Sequence, residues 1–440
     1  MIKVVMPEPI PSLNKGEAAI LEGIWESLNR HGDYRITVYS PPAWFKDDKR
    51  NFGNKYNVAD GVDLYDLANN FLDNPEPRSR LHILKTWGRL IAIALLIRIS
   101  KKAALLCIKD KFIKSMIDAD LILAGHDGML GYSQFWLVLA ARIMNKPVAL
   151  FGGGDDAAGR KGLKIRTLLK FAINNAIICT VRDPGTRDYM LANDIAPGKV
   201  HLFPDPAVLL KPCAPERAKE ILAAEYILNS KETPIIGLIP VRGGIVFDKS
   251  FSFETDLLKK HQHRVNLWIS IISHLLDTTN AHLVMIPHCT GPTPGNDDSR
   301  ICKDIYQSFP SAKDRITLIS SEYSAGELKG VLRECSFVVG ERTHALIGSV
   351  SVGTPCLALT VAEDLRMHYI IDTMFSQKTF NLNNPNIDDL KTLITALWND
   401  REKMRARTME SAHAIHEQAY QAAGLLAERI KKALPRKAIS

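Results

Sequence analysis

The chain has 440 residues, 46% of them hydrophobic and 24% charged, with a formal net charge of +8. That balance excludes disordered and fibrous classes and suits two domains of ordinary size, each with its own core. The positive charge favours an anionic partner but does not choose among phosphate substrates, anionic lipid and nucleic acid.

From the first residue the pattern is strand, loop, helix. IKVVMP is a strand-like run, EPIPSLNKGE a loop, AAILEGIWESLNRHG a helix and RITVYS a second strand. The start has no apolar leader core, so a secretory signal is not expected. Residues 86–106, TWGRLIAIALLIRISKKAALL, form the most apolar stretch, but Arg98 closes its longest run well short of the ~20 residues needed to span a bilayer. It reads either as a core helix or as a basic interfacial helix with Trp87 as anchor and Arg89, Arg98, Lys101 and Lys102 towards anionic headgroups. ADLILAGH, a helix over 133–144, KPVALFGGG, AIICTVRD, a helix over 184–193 and VHLFPDPAVLL follow. KPCAPE at 211–216 punctuates the chain, and the alternation restarts with TPIIGLIPVRGG, RVNLWISIISHLLD, HLVMIPHCTGP and DSRICKDIYQSF. ITLIS, SAGELKGVLRE, SFVVGER, THALIGSVS and TPCLALT complete it, before a helical stretch over 382–433 with a basic end.

Apolar strands alternating with helical segments predict parallel sheets with helical crossovers. The expected architecture is α/β, with two doubly wound Rossmann-like domains facing a cleft. An N-terminal domain covers 1–215, a C-terminal domain 230–380, and helices in 381–440 pack on them. The seven cysteines are scattered with no CxxC pair, which predicts reduced thiols in a cytosolic protein and no zinc framework.

In such sheets ligands bind beyond the carboxyl ends of the strands. The residues there are Asn14, Gly16 and Glu17; Gly125, His126 and Asp127; Gly152, Gly153, Gly154 and Asp155; Arg182 and Asp183; Asp205; Arg242; His288; and Arg342 with His344. FGGGDDAAG is a glycine turn whose N–H groups can hold an anion, although a plain tight turn has the same composition. Glu17 can serve a ligand or merely favour a helix dipole. Arg182 can lock its loop against Asp183 or clamp a phosphate or carboxylate. Arg242 repeats that theme, and His288 ends a strand as structural histidines often do. Arg342 cannot shed its charge and needs an anion, either Glu341 or a substrate held with the titratable His344 at a helix N-terminus.

NKGEAAIL, FGGG, VRDPGTRD, FPDPAVLL, IPHCTG followed by Asp297, and GERTHALIGSVSVGTPCLAL occur in an order that resembles the polysaccharide pyruvyl transferase family across about residues 10–365. Arg-x-His at a strand–helix junction followed by Gly-x-Pro is the most specific of these. Glu17 departs from the family's usual Asp but keeps a carboxylate. The resemblance implies a fold like that of GT-B glycosyltransferases and transfer of pyruvate from phosphoenolpyruvate to a saccharide as a cyclic ketal. It implies His344 as general acid/base and Arg342 with Arg182 as anion clamps, with Arg242 and His288 assisting. Phosphoenolpyruvate is the co-substrate, and neither cofactor nor metal is expected. The acceptor, free or lipid-linked, is expected on the N-terminal domain near Asn14, Glu17 and Asp155, in the cytoplasm or at the inner membrane face.

Two rivals remain at this level. A GT-B-type glycosyltransferase or nucleotide-sugar epimerase would need a late carboxylate for ribose, which Glu363 or Asp364 supplies. The other is a basic, non-catalytic membrane-surface scaffold in polysaccharide assembly with a decayed site; the intact Arg342 and His344 argue against decay, and residues 86–106 favour neither reading. Nucleic-acid binding is not expected, because the 56 Lys and Arg are dispersed without aromatic interleaving.

Overall fold

The computed structural model describes residues 1–61, 84–85, 88, 91–92, 94–125, 132–154, 166–225, 233–242, 257–361, 364, 367–383 and 385–434. Two parallel sheets organise them. The first contains β1 (Ile2–Met6), β2 (Tyr34–Ser40), β3 (Asn57–Asp60), β4 (Leu121–Ala124), β5 (Val148–Gly153), β6 (Ile178–Val181) and β7 (Val200–Leu202), in the order β3-β2-β1-β4-β5-β6-β7. The second contains β8 (Ile235–Ile239), β9 (His282–Met285), β10 (Ile316–Leu318), β11 (Phe337–Gly340), β12 (Cys356–Thr360) and β13 (Lys378–Asn381), in the order β10-β9-β8-β11-β12-β13.

The central strands are apolar throughout because helices cover both faces of a parallel sheet. LILA of β4 and IIGLI of β8 are buried at every position. The edge strand β13, KTFN, has no such run: its two end residues are exposed and the two between them half-buried. Its weak apolar signal explains why the sequence pattern did not reveal it. Helix starts follow local chemistry. Asp183 caps the helix Pro184–Ala192 by accepting from the Thr186 amide at 2.7 Å, and Ser324 with Glu327 forms a capping box at the helix Ala325–Glu334.

The chain divides into two compact units. One comprises Met1–Ser12, Ile24–Asp205 and Gln418–Ser440; the other comprises Leu13–Gly23 and Pro206–Glu417. The division differs from the expected boundaries in three places. The helix Pro215–Ala224 and the segment before it belong to the second unit. Asn14 and Glu17, expected on the N-terminal side, also belong to the second. The C-terminal stretch is a single helix, Ile387–Ala433, divided between the units at Gln418. Among the described residues no helix is long and apolar enough to cross a membrane.

Candidate functional site

The strand order of the second sheet reverses between β8 and β11, which pair in parallel with Ile239 opposite Gly340. Parallel strands end at one edge, so the chain leaves β8 through Val241 and Arg242 beside the point where it leaves β11 through Glu341 and Arg342. β9 flanks β8 and runs on to His288. This is the topological switch point, where open α/β sheets form a crevice.

Glu341 and Arg342 have separate partners. The Glu341 carboxylate is fully buried and ion-paired with the buried Arg264, and it accepts from the Trp268 indole at 2.7 Å and the Val241 amide at 3.3 Å. It bolts the helix Leu257–Thr278 to the ends of β8 and β11 and is not the partner of Arg342. That partner is Asp298, whose two oxygens receive Arg342 Nε at 2.9 Å and Nη2 at 2.8 Å. Asp298 also accepts from the amides of Arg242 and Cys289, each at 3.2 Å, and its side chain has no exposed surface. Burial pushes its carboxyl up, and the Arg342 charge pulls the other way. One carboxylate therefore orients the Arg342 side chain and the Arg242 backbone. Asp297, the acid of the sequence motif, instead accepts from Ser299 at the start of the helix Ser299–Gln307.

Arg242 carries the clearest request for a ligand. Among the described residues its Nη1 is buried with no hydrogen-bond partner. Buried donors are rarely left so, and an anion in the crevice would satisfy it.

The segment before the helix Lys15–Asn29 docks on the loop after β9. The Thr290 amide donates to the Leu13 carbonyl at 3.0 Å and the Lys15 amide to the His288 carbonyl at 3.2 Å. Asn14 organises the helix start, accepting from the Gly16 amide at 3.1 Å and donating to Glu17 Oε1 at 2.8 Å. Position 16 must be glycine because a Cβ there would lie 2.7 Å from His344 Nδ1. The first turn of this helix thus meets the first turn of the helix Thr343–Ser351 at the His344 ring. Two helix N-termini, each the positive end of its helix dipole, converge there.

Other charges reinforce the positive field. Lys15 is almost fully buried with Nζ 3.6 Å from Glu322. The loop that carries Glu322 is held by Glu225, which accepts from the Ser320 and Ser321 amides at 2.9 and 3.0 Å and from the Tyr323 hydroxyl at 2.8 Å. His288 is buried, and desolvation, His344, Arg342 and Lys15 together push its pKa down to about 3. It is a neutral imidazole among cations at any ordinary pH.

In the first unit Arg182 has a different setting. It is 1% exposed and paired at 2.7 Å with the equally buried Asp205, while Asp183 serves the helix cap. Gly154 packs against its Nε, and a Cβ there would approach to 2.6 Å. Arg182 thus braces the turn after β5 from behind and does not present a surface clamp. Gly152 donates to Thr180 Oγ1 at 2.7 Å, and Gly153 accepts from the Arg182 amide at 3.0 Å. Gly125 donates to the buried Glu8 at 2.6 Å. Asp155, His126, Asp127 and Glu363 lie outside the described residues. Asp364 accepts from the Met367 amide at 2.9 Å.

The structure therefore gathers Asn14, Glu17, Arg242, His288, Arg342 and His344 in one unit and leaves Arg182 and Gly152–Gly154 in the other. Sequence reasoning missed Asp298, Lys15 and Glu322. Asp298 had one legible signal: two adjacent acids precede a helix that needs one of them.

The family model described as polysaccharide pyruvyl transferase matches residues 14–363, and the chain belongs to that family. No curated protein matches it. Among solved structures, a protein described as UDP-N-acetylglucosamine 2-epimerase from Listeria monocytogenes is similar with a TM-score of 0.58 at 13% identity, covering 98% of this chain and 96% of that one. UDP-GlcNAc 2-epimerase from Neisseria meningitidis, bound to UDP-GlcNAc, gives 0.57 at 13%, covering 98% and 100%. The Anabaena protein Alr3699/HepE, in complex with UDP and glucose, gives 0.55 at 11%, covering 98% and 100%. At such identities the likeness establishes the fold alone: two Rossmann-like α/β units of the GT-B type.

Proposed function

We propose that the chain transfers the pyruvyl group of phosphoenolpyruvate to two hydroxyls of a saccharide, forming a cyclic ketal and releasing phosphate. The observation that carries this reading is the anion-seeking pair at the switch point, Arg342 oriented by Asp298 beside Arg242 with its unsatisfied Nη1. Phosphoenolpyruvate presents a phosphate and a carboxylate, which suits two guanidiniums and two helix N-termini.

His344 is the proposed acid/base. It delivers a proton to the enol methylene, which becomes the methyl group and leaves an oxocarbenium-like centre at the adjoining carbon. A saccharide hydroxyl adds there and gives up its proton, the C–O bond to phosphate breaks, and the second hydroxyl closes the ring. The proton lost by one hydroxyl replaces the one spent on the methylene, and the other leaves with phosphate. An imidazole has one nitrogen that can donate a proton and one that can accept it, which suits both transfers. Asn14 and Glu17, beside His344 at the helix start, are the proposed acceptor contacts.

The acceptor reading extends to a lipid-linked saccharide met at an anionic membrane face through residues 86–106. Leu95, Ile99 and Leu106 are 54%, 84% and 86% exposed, with Arg98 and Lys102 also exposed among them. Trp87 and Arg89 lie outside the described residues. Sedimentation with vesicles of phosphatidylglycerol, but not with phosphatidylcholine alone, is the expected behaviour; equal recovery in both supernatants refutes the contact.

The reaction is tested by ligand-induced thermal shift and by phosphate release with a panel of saccharides. Phosphoenolpyruvate should raise the melting temperature of the wild type and of His344→Gln, while His344→Gln releases no phosphate. A shift with UDP and none with phosphoenolpyruvate would overturn the proposal in favour of nucleotide-sugar chemistry.

A further inference from the structure

A recess of about 460 Å³ opens at the amino-terminal edge of the first sheet, within the first unit. Its floor comes from one face of three paired strands. Lys3 of β1 is in register with Arg35 of β2, and Thr37, two residues on, is in register with Asn57 of β3. Both faces of a parallel sheet are normally covered with apolar side chains. Here Arg35 is exposed and Thr37 half-buried, although the same strand buries Tyr34, Ile36 and Val38. The C-terminal end of the helix Phe45–Phe52 supplies Lys49, the turn beyond it Lys55, and the helix Lys111–Asp118 supplies Asp118.

Four cations thus surround the recess against one carboxylate, Asp118, which pairs with Lys3 at 2.6 Å. The C-termini of the two helices each add about half a negative charge, which one lysine would offset. Roughly two positive charges remain, more than the helix ends call for. Lys55 is held in place over the Trp25 ring, 4.0 Å from its centroid. Thr37 and Asn57, hydrogen-bonded to each other at 3.2 Å, offer hydroxyl and amide groups on the floor. The volume falls in the ~300–1,000 Å³ range of small-molecule sites, larger than a lone inorganic anion requires.

We propose that this recess binds a segment of acidic saccharide, a hydroxylated chain bearing carboxylates, at a site on the opposite edge of its sheet from the strand ends where ligands of this fold bind. The cations receive the carboxylates, and Thr37, Asn57 and Ser115 receive hydroxyls. The inference does not rest on the reaction proposed above. If that reaction is correct, the recess would retain an acidic acceptor chain between turnovers.

Isothermal titration of the full chain tests it with hyaluronan tetrasaccharide, cellotetraose and inorganic pyrophosphate as probes. The expected result is binding of the acidic tetrasaccharide that weakens with added salt and is unchanged in His344→Gln. It should fall at least tenfold in Arg35→Ala/Lys49→Ala, two exposed positions whose truncation leaves the core intact. Cellotetraose should not bind. No binding of the tetrasaccharide to the wild type, equal binding to the double variant, or binding of pyrophosphate alone would overturn the proposal. Phosphoenolpyruvate-induced thermal shift in the same preparations reports separately on the reaction, so the two readings fail independently.

Discussion

Replacing Asp298 with alanine removes four accepted hydrogen bonds at once: two from Arg342 and one each from the amides of Arg242 and Cys289. Asp298 has no exposed surface, and 27% of the Arg342 side chain is exposed. Water can therefore reach Arg342 but cannot readily fill the carboxylate's place. Breaking a buried pair by deleting one partner typically costs ~3–5 kcal/mol. For a unit of this size each kcal/mol lowers the melting temperature by ~2–4 °C, so a drop on the order of 10 °C is expected. Differential scanning calorimetry measures it. Asp298→Ala/Arg342→Met supplies the control, because removing both charges leaves no uncompensated cation. The double variant should recover part of the loss, with a coupling of ~1–3 kcal/mol between the sites. A single variant melting within about 2 °C of the wild type, or strictly additive losses, would refute the view that Asp298 is what positions Arg342.

Gly16→Ala should displace His344, since the new Cβ would lie 2.7 Å from its Nδ1 and 2.8 Å from its Cβ; turnover should fall more than tenfold and the melting temperature should drop as well, because the Cβ contact cannot be relieved by rotating the ring, and unchanged turnover would contradict the contact. The His288 pKa, about 3 in the folded chain against 6.5 ordinarily, means that the unfolded chain binds the extra proton between those values. Its contribution is complete above pH 6.5 and is lost on acidification by at most ~1.4 kcal/mol per pH unit. The decline in melting temperature from pH 7 to 5 should therefore be shallower in His288→Gln, and parallel profiles would count against this account. Lys329 is buried and donates to the carbonyls of Val208 and Leu210 at 2.9 and 2.6 Å. The Val208 carbonyl also bonds the His416 imidazole, so Lys329→Met strands the Leu210 carbonyl; it should cost ~1–3 kcal/mol in urea unfolding, and a neutral result would show that this carbonyl finds another donor.

The alternation of apolar runs with helical segments made the two parallel sheets legible, because strands covered by helices on both faces, such as β4 and β8, are apolar throughout. The junction at Gly340–His344 was legible for a similar reason: Arg342 and His344 stand out where a buried strand gives way to a helix. β13 was not legible, since an edge strand needs no continuous apolar run. Nor was the recess beside Arg35, because one arginine in an otherwise apolar strand acquires meaning only when register sets it next to Lys3.

Local pattern also failed to pair the charges. Glu341 and Asp183, adjacent in sequence to Arg342 and Arg182, serve the β8 exit loop and a helix cap. The partners of those arginines are Asp298 and Asp205, 44 and 23 residues away in the chain. The assignment of Leu13–Gly23 to the second unit likewise arises from amides donated to carbonyls on its own loop and on the loop after β9. Periodicity and residue type are properties of neighbouring residues, so the sequence alone determined the interior strands, most of the helices and the residue chemistry at the strand ends. Which carboxylate meets which guanidinium depends on contacts between residues tens of positions apart in the chain, and only the tertiary structure decided that.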